Sequence, residues 1–199
     1  MRSIRAGAFV SLDGVMQAPG GPEEDPTGGF AYGGWVWPHW DETSGSSMTP
    51  LFEEPFDLLL GRRTYEIFAA YWPHNDDNPI GLAFNRAAKY VVTSSTEPLS
   101  WANSHAIKDG AAGVARLKQG DGPDLVIQGS SKLYPDLIAR GLLDRLTLVT
   151  FPVLLGKGKR LFAPDGPSGA LRLVDSKVSS TGVVIGTYEP AGELVTGTF

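Results

Sequence analysis

Two short apolar runs, each stopping at a glycine and continuing as helix-competent sequence, constrain this chain most. They are Leu58-Leu59-Leu60-Gly61-Arg62-Arg63-Thr64-Tyr65-Glu66 and Leu125-Val126-Ile127-Gln128-Gly129-Ser130-Ser131-Lys132-Leu133-Tyr134. Each reads as a strand that delivers its carboxyl end into the start of a helix. Such a junction presents backbone N–H groups with no intrahelical acceptor and the positive end of a helix dipole, which makes it a seat for phosphate. Two junctions in one chain point to a ligand with more than one phosphate. The local residues also fit a simpler reading, a helix capped by Thr64 in the first case and by Ser130 or Ser131 in the second.

Around these junctions β and α signals alternate. Ile4 to Leu12 is β-compatible and ends at the turn signal Asp13-Gly14. Phe56 to Leu60 reads as a buried strand and Arg63 to Ala70 as a helix stopped by Tyr71-Trp72-Pro73, with His74 to Pro79 a polar turn region. Lys89 to Thr93 is a further strand, 109–119 a helix closed by Gly120, Leu125 to Gln128 a strand, and Lys132 to Arg140 a helix closed by Gly141. Leu146 to Val149 is another strand, and Pro152 marks a sheet edge or a strand end. Leu171 to Ser180 and Val183 to Glu189 flank Thr181-Gly182 as a terminal antiparallel hairpin. This order implies an α/β fold, a mixed and mainly parallel sheet with helices on both faces and an antiparallel edge. Ligands of such sheets sit beyond the carboxyl ends of the strands, at a switch point.

A chain of 199 residues fits one domain spanning 1–199. From about 17 to 50 the composition shifts to Gly, Pro, Ser and aromatic residues, too long for a plain connection. Only the parts near 40–47 and 50–54 look helix-capable, and Trp35, Trp37 and Trp40 favour a functional, substrate-side loop over a disordered insert. A net charge of −5 disfavours a general nucleic-acid binder, and the absence of Cys excludes disulfides, thiol catalysis and cysteine-based metal sites. His39, His74 and His105 are too scattered for a metal motif, so no metal is expected. The apolar start is broken by Ser11 and Asp13 before signal-peptide length, and no run approaches a membrane span, so a cytoplasmic location is expected.

Other segments carry weaker signals. Thr93-Ser94-Ser95 offers hydroxyl donors after a strand, although such clusters are also ordinary turn formers. Gly156-Lys157-Gly158-Lys159-Arg160 is a basic loop that reads as a solvated turn, with an anion site as the alternative. Neither it nor the Gly129 junction has the Gly-Lys-Ser/Thr ending of a P-loop, and no Ser sits in a nucleophile elbow. Trp40 and Asp41 are candidate substrate residues, with Asp41 or Glu42 able to accept N–H groups or manage a proton. Core or interface packing is the competing reading for each tryptophan.

Taken in order, Ser11-Leu12-Asp13-Gly14, Gly61-Arg62-x-Thr64, Thr93 to Ser95, Gly129-Ser130-Ser131 and 142–162 resemble the dihydrofolate reductase-like superfamily. The chain is most similar to stand-alone relatives of the C-terminal reductase domain of the bifunctional riboflavin-biosynthesis deaminase-reductase. The resemblance implies a three-layer α/β fold, NADPH as cofactor, hydride transfer to a small planar heterocycle, and a homodimer. It implies that Arg62 and Thr64 meet phosphates, with Arg62 near the 2′-phosphate, and that Gly61 lets the cofactor approach. It places Ser94 and Ser95 by the adenosine ribose, and Gly129, Ser130, Ser131, Lys132, Leu133 and Tyr134 at the pyrophosphate. Ala8, Phe9, Val15 and Met16 would border the nicotinamide. A non-catalytic nucleotide-binding or regulatory module of the same fold is the alternative.

Three departures bear on this reading. Dihydrofolate reductases join two glycines by a cis peptide where this chain has Gly129-Ser130. Riboflavin reductases carry a substrate-binding Glu where Ile127 stands and an Asp where Phe68 stands. The last two argue against the riboflavin precursor as substrate.

Overall fold

The computed structural model describes residues 1–52, 55–162 and 164–198. In chain order its elements are β1 (Ile4–Ser11), α1 (Glu42–Ser46), α2 (Thr49–Phe52), β2 (Phe56–Gly61), α3 (Arg62–Tyr71), α4 (Pro79–Arg86), β3 (Lys89–Val92) and β4 (Ser104–Ile107). They continue with α5 (Gly110–Gln119), β5 (Asp124–Gln128), α6 (Tyr134–Ala139), β6 (Arg145–Phe151), β7 (Leu171–Val178) and β8 (Val184–Pro190). The strands form one eight-stranded sheet in the order β4-β3-β2-β5-β1-β6-β8-β7. All pairings from β4 to β6 are parallel, and β8 and β7 add an antiparallel hairpin at the far edge.

The period of two along the strands feeds a separate core on each face. On β1, Ile4, Ala6, Ala8 and Val10 join Leu59, Leu125 and Ile127 beneath α5 and α6, where Val114, Leu133, Tyr134 and Leu137 close the layer. On the opposite face Leu58, Leu60, Val126, Val149 and Phe151 meet Leu51, Tyr65 and Phe84 from α2, α3 and α4. Helices thus cover both faces of the parallel part, which requires burial on both sides.

Two elements differ from the sequence expectation. The polar turn region at 74–79 runs into α4, whose Asn78 side chain accepts the Gly81 N–H at 3.0 Å and whose Pro79 occupies the first turn. Asn-Pro is a helix start as readily as a turn, and the burial of Phe84 selects the helix. β4 is a four-residue edge strand with no apolar alternation, held by its parallel pairing with β3. Pro152 ends β6, which lies inside the sheet. The segment 17–50 is folded, with short helical turns at Thr27–Gly29 and Trp37–His39 before α1. Of the helix-capable stretch 50–54, positions 50–52 are helical and residues 53–54 lie outside the described residues. No helix among the described residues is long and apolar enough to cross a membrane.

Candidate functional site

β5 lies between β2 and β1, so the connection leaving β1 runs one way across the sheet and that leaving β5 runs the other. The carboxyl ends of these strands therefore flank a switch point, the crevice where such sheets hold ligands. Both glycine junctions stand there, and they are latched to each other. Gly61 N–H donates to Ser130 Oγ at 3.0 Å, and Ser130 N–H donates to Thr64 Oγ1 at 2.9 Å. Neither hydroxyl caps its own helix. α3 starts at Gly61 without a side-chain cap, and so does the turn Ser131–Leu133 that leads into α6. The first-turn N–H groups of two neighbouring starts are left without a side-chain acceptor, which suits a diphosphate.

Gly129 makes this approach possible. It has φ 69°, and a Cβ there would lie 3.0 Å from Thr64 Cγ2. Ser130 follows in the left-handed region at φ 58°, and the peptide between them is trans, unlike the glycine pair of dihydrofolate reductases. Leu133 and Tyr134 turn their side chains into the core beneath α6. Burial pushes the Tyr134 phenol pKa up, and its hydroxyl has no partner among the described residues. Only the backbone of these two can meet a ligand in the crevice. Lys132 is exposed and Ser131 half-buried at the rim.

Arg62 is pre-oriented. Its Nε donates to Glu66 at 2.7 Å and its Nη1 to the Glu97 carbonyl at 2.9 Å, which lays the guanidinium against the loop after β3. Ser94 is exposed on that loop, and Ser95 N–H donates to Thr93 Oγ1 at 3.0 Å, so the hydroxyl run is a turn beside Arg62.

On the other side of the crevice, Ala8 and Phe9 point to opposite faces of β1. Val15 and Met16 are buried in the turn that follows, which is stitched to the basic loop after β6. Met16 N–H donates to the Lys159 carbonyl at 2.8 Å, and Val15 bridges Arg160. Asp13 receives the Ser11 hydroxyl at 2.6 Å and the N–H groups of Leu155 and Gly156 at 3.1 and 2.8 Å. The Ser11 bond foremost, then those N–H groups and Arg160, hold its pKa at about 2 against the opposing effect of burial.

Sequence reasoning missed the polar cluster between these sides. Gln17 Nε2 donates to the carbonyls of Asp25 and Thr27, both at 2.9 Å, while its Oε1 accepts the Lys159 N–H at 3.0 Å. Asp25 pairs with Lys159 at 2.5 Å and with Arg63 at 3.6 Å. Burial raises the Asp25 pKa, but the Lys159 and Thr27 bonds outweigh it and the net shift is downward. Glu24 beside it goes the other way, pushed up by burial. A cavity of about 300 Å³ opens here between Gln17, Thr27, Phe30, Lys157 and Lys159. The basic loop was the available signal. Nothing in the linear sequence paired it with a carboxylate 134 residues away.

Trp35 is core, packed edge-on to Phe151 with its Nε1 donating to Gln17 O at 2.8 Å. Trp40 is half-buried and meets Phe9 edge-on at 5.7 Å, so it stands near the carboxyl end of β1. Asp41 serves the fold. It caps α1 through Ser44 N–H at 2.8 Å and clamps the β7–β8 turn by accepting Ser180 N–H and Oγ at 3.1 and 2.9 Å. These bonds, that of Ser44 foremost, hold its pKa at about 2, which leaves it no proton to donate near neutrality. Phe68 stacks on Phe84 and Ile127 is fully buried, so apolar packing occupies both positions where riboflavin reductases carry acids.

Comparison with known proteins agrees with this architecture. The chain is 25% identical over 195 residues to the uncharacterized protein YyaP of Bacillus subtilis (strain 168), covering 92% of each. It is 30% identical over 177 residues to the uncharacterized YwjB of the same organism, covering 84% of this chain and 87% of that one. A pyrimidine reductase-like protein from Corynebacterium diphtheriae NCTC superposes with TM-score 0.60 at 15% identity, covering 96% of this chain and 93% of that one. Dihydrofolate reductase from Enterococcus faecalis, solved with NADP(H) and RAB-propyl, superposes with TM-score 0.58 at 17% identity, covering 94% and 96%. The fold is thus dihydrofolate reductase-like. The family model described as RibD C-terminal domain matches residues 2–185, and the chain belongs to that family.

Proposed function

We propose that this protein is an NADPH-dependent reductase that delivers hydride to a small planar heterocycle. The observation that carries the reading is the reciprocal latch between the two junctions, Gly61 to Ser130 and Ser130 to Thr64, which sets two uncapped helical starts side by side at the switch point. That is a cradle for a dinucleotide diphosphate. Arg62 and the Ser94-Ser95 turn then take the adenosine end, and Val15, Met16 and Phe9 border the nicotinamide. When bound, the cofactor would supply the hydride, which carries both electrons of the reduction; the chain supplies position and electrostatics. Phe9 and Trp40, packed edge-on against each other, are the aromatic surface we assign to a flat acceptor. Asp13 and Asp41 have pKa values held at about 2 by hydrogen bonds made inside the fold, so neither is suited to donate the proton that completes the reduction. The packing at Phe68 and Ile127 disfavours an acceptor recognised through acids there, as the riboflavin precursor is.

Titration of the protein with NADPH, followed by turnover assays on heterocyclic acceptors, tests the reading. NADPH binding without turnover of any acceptor would favour the non-catalytic module. Arg62→Ala is expected to weaken NADPH roughly tenfold more than NADH, because only NADPH carries the 2′-phosphate that a guanidinium would bond. Equal weakening of the two cofactors would remove Arg62 from that role.

A homodimer is also proposed. β7 is an exposed edge strand of eight residues with Leu171, Leu173 and Val178 each at least half exposed. An exposed edge strand of this length is open to pairing, and a second copy supplies an equal edge about a two-fold axis. Sedimentation equilibrium should give twice the chain mass, reduced to the chain mass by Leu173→Lys; a monomeric wild-type protein would refute it.

A further inference from the structure

Arg63 and Lys159 reach the crevice from opposite sides. Arg63 is in the first turn of α3, directly after β2, and Lys159 is in the loop after β6. β5 and β1 lie between those strands, a span of three strand steps or about 14 Å. One carboxylate nevertheless meets both cations. Asp25 Oδ2 is 2.5 Å from Lys159 Nζ, and Oδ1 is 3.6 Å from Arg63 Nη2. Its side chain is 8% exposed, and the Gln17 side chain fixes its backbone. Asp25 therefore ties the start of α3 to the basic loop after β6. Among the described residues neither cation has another carboxylate partner.

A buried anion clamped by two cations from different elements marks a seat whose preferred charge is negative. A diphosphate brings more charge and more acceptor oxygens than one carboxylate. It would also meet the uncapped N–H groups at the start of α3 and the five-donor fork of Arg63, none of which Asp25 saturates. Arg62 is engaged instead with Glu66 and Glu97. We infer that Arg63 and Lys159 form an anion seat for a diphosphate or phosphate ester, and that Asp25 occupies it in the ligand-free protein and leaves when the phosphate enters. Identifying that phosphate with the nucleotide rests on the reductase reading; the seat itself does not.

The test is calorimetric titration with inorganic pyrophosphate. Asp25→Asn keeps the shape and removes the competing charge, so pyrophosphate should bind roughly tenfold tighter than to wild type, the factor expected when a seat is freed from an internal occupant nine-tenths of the time. Adding Lys159→Ala should abolish that gain. Asp25→Ser provides the same comparison should the asparagine variant not fold. Unchanged or weaker pyrophosphate binding on removal of the Asp25 charge, or no binding by either protein, would overturn the seat. A gain for pyrophosphate without a gain for NADPH would uphold the seat and sink the nucleotide reading alone.

Discussion

Gly129→Val is expected to lower NADPH affinity by about a hundredfold or more, equivalent to at least 2.7 kcal/mol. The backbone at this position has φ 69°, where a β-branched residue is strained by about 1–3 kcal/mol. Its Cβ would also sit 3.0 Å from Thr64 Cγ2 and 3.2 Å from Thr64 Oγ1. Thr64 cannot retreat without giving up the Ser130 N–H, so relief of the clash parts the two junctions. The loss should appear in a fluorescence titration with NADPH. A chemical melt should show a smaller change, because the strain is local to the crevice. Affinity within threefold of wild type would mean that the latch does not shape the cofactor cradle.

Gly158→Val should have the largest effect on stability. Its φ is 137°, and a Cβ would lie 2.5 Å from Val15 Cγ1 and 3.0 Å from Phe30 Cε2. Both neighbours are buried, at 0% and 6% exposure, so neither can swing into solvent. Backbone strain and overpacking together cost about 3 kcal/mol. For a chain of this size that is a drop of roughly 10 °C in Tm. Differential scanning calorimetry measures it, and a shift below about 2 °C would show that the seam between the basic loop and the turn after β1 gives way cheaply. The same seam carries Met16, so weaker NADPH binding should accompany the loss of stability.

These two glycines illustrate what the sequence could and could not reveal. The alternation of β and α signals was legible because buried parallel strands are continuous apolar runs, Leu58-Leu59-Leu60 and Leu125-Val126-Ile127 among them. Each glycine junction was legible as a strand end meeting a helix start. That the two face each other was not, because Ser130 and Thr64 bond across 66 residues and local chemistry allowed each hydroxyl to cap its own helix. α4 was hidden by an Asn-Pro pair that serves turns and helices alike, and β4 by a composition with no pattern at all. Asp41 carried the right chemistry for a proton donor, but it is occupied by a local cap to Ser44, three residues on, and by Ser180, 139 residues away, and the second of these is tertiary. Asp25 and Lys159 gave no joint signal for the same reason.

The central claim, a dinucleotide cradle made from the two latched junctions, is tested most directly by calorimetric titration of the purified protein with NADPH. Saturable binding at one site per chain, with a dissociation constant of about 10 μM or tighter and clearly weaker binding of NADH, is the predicted result. Absence of NADPH binding at millimolar concentration would contradict it.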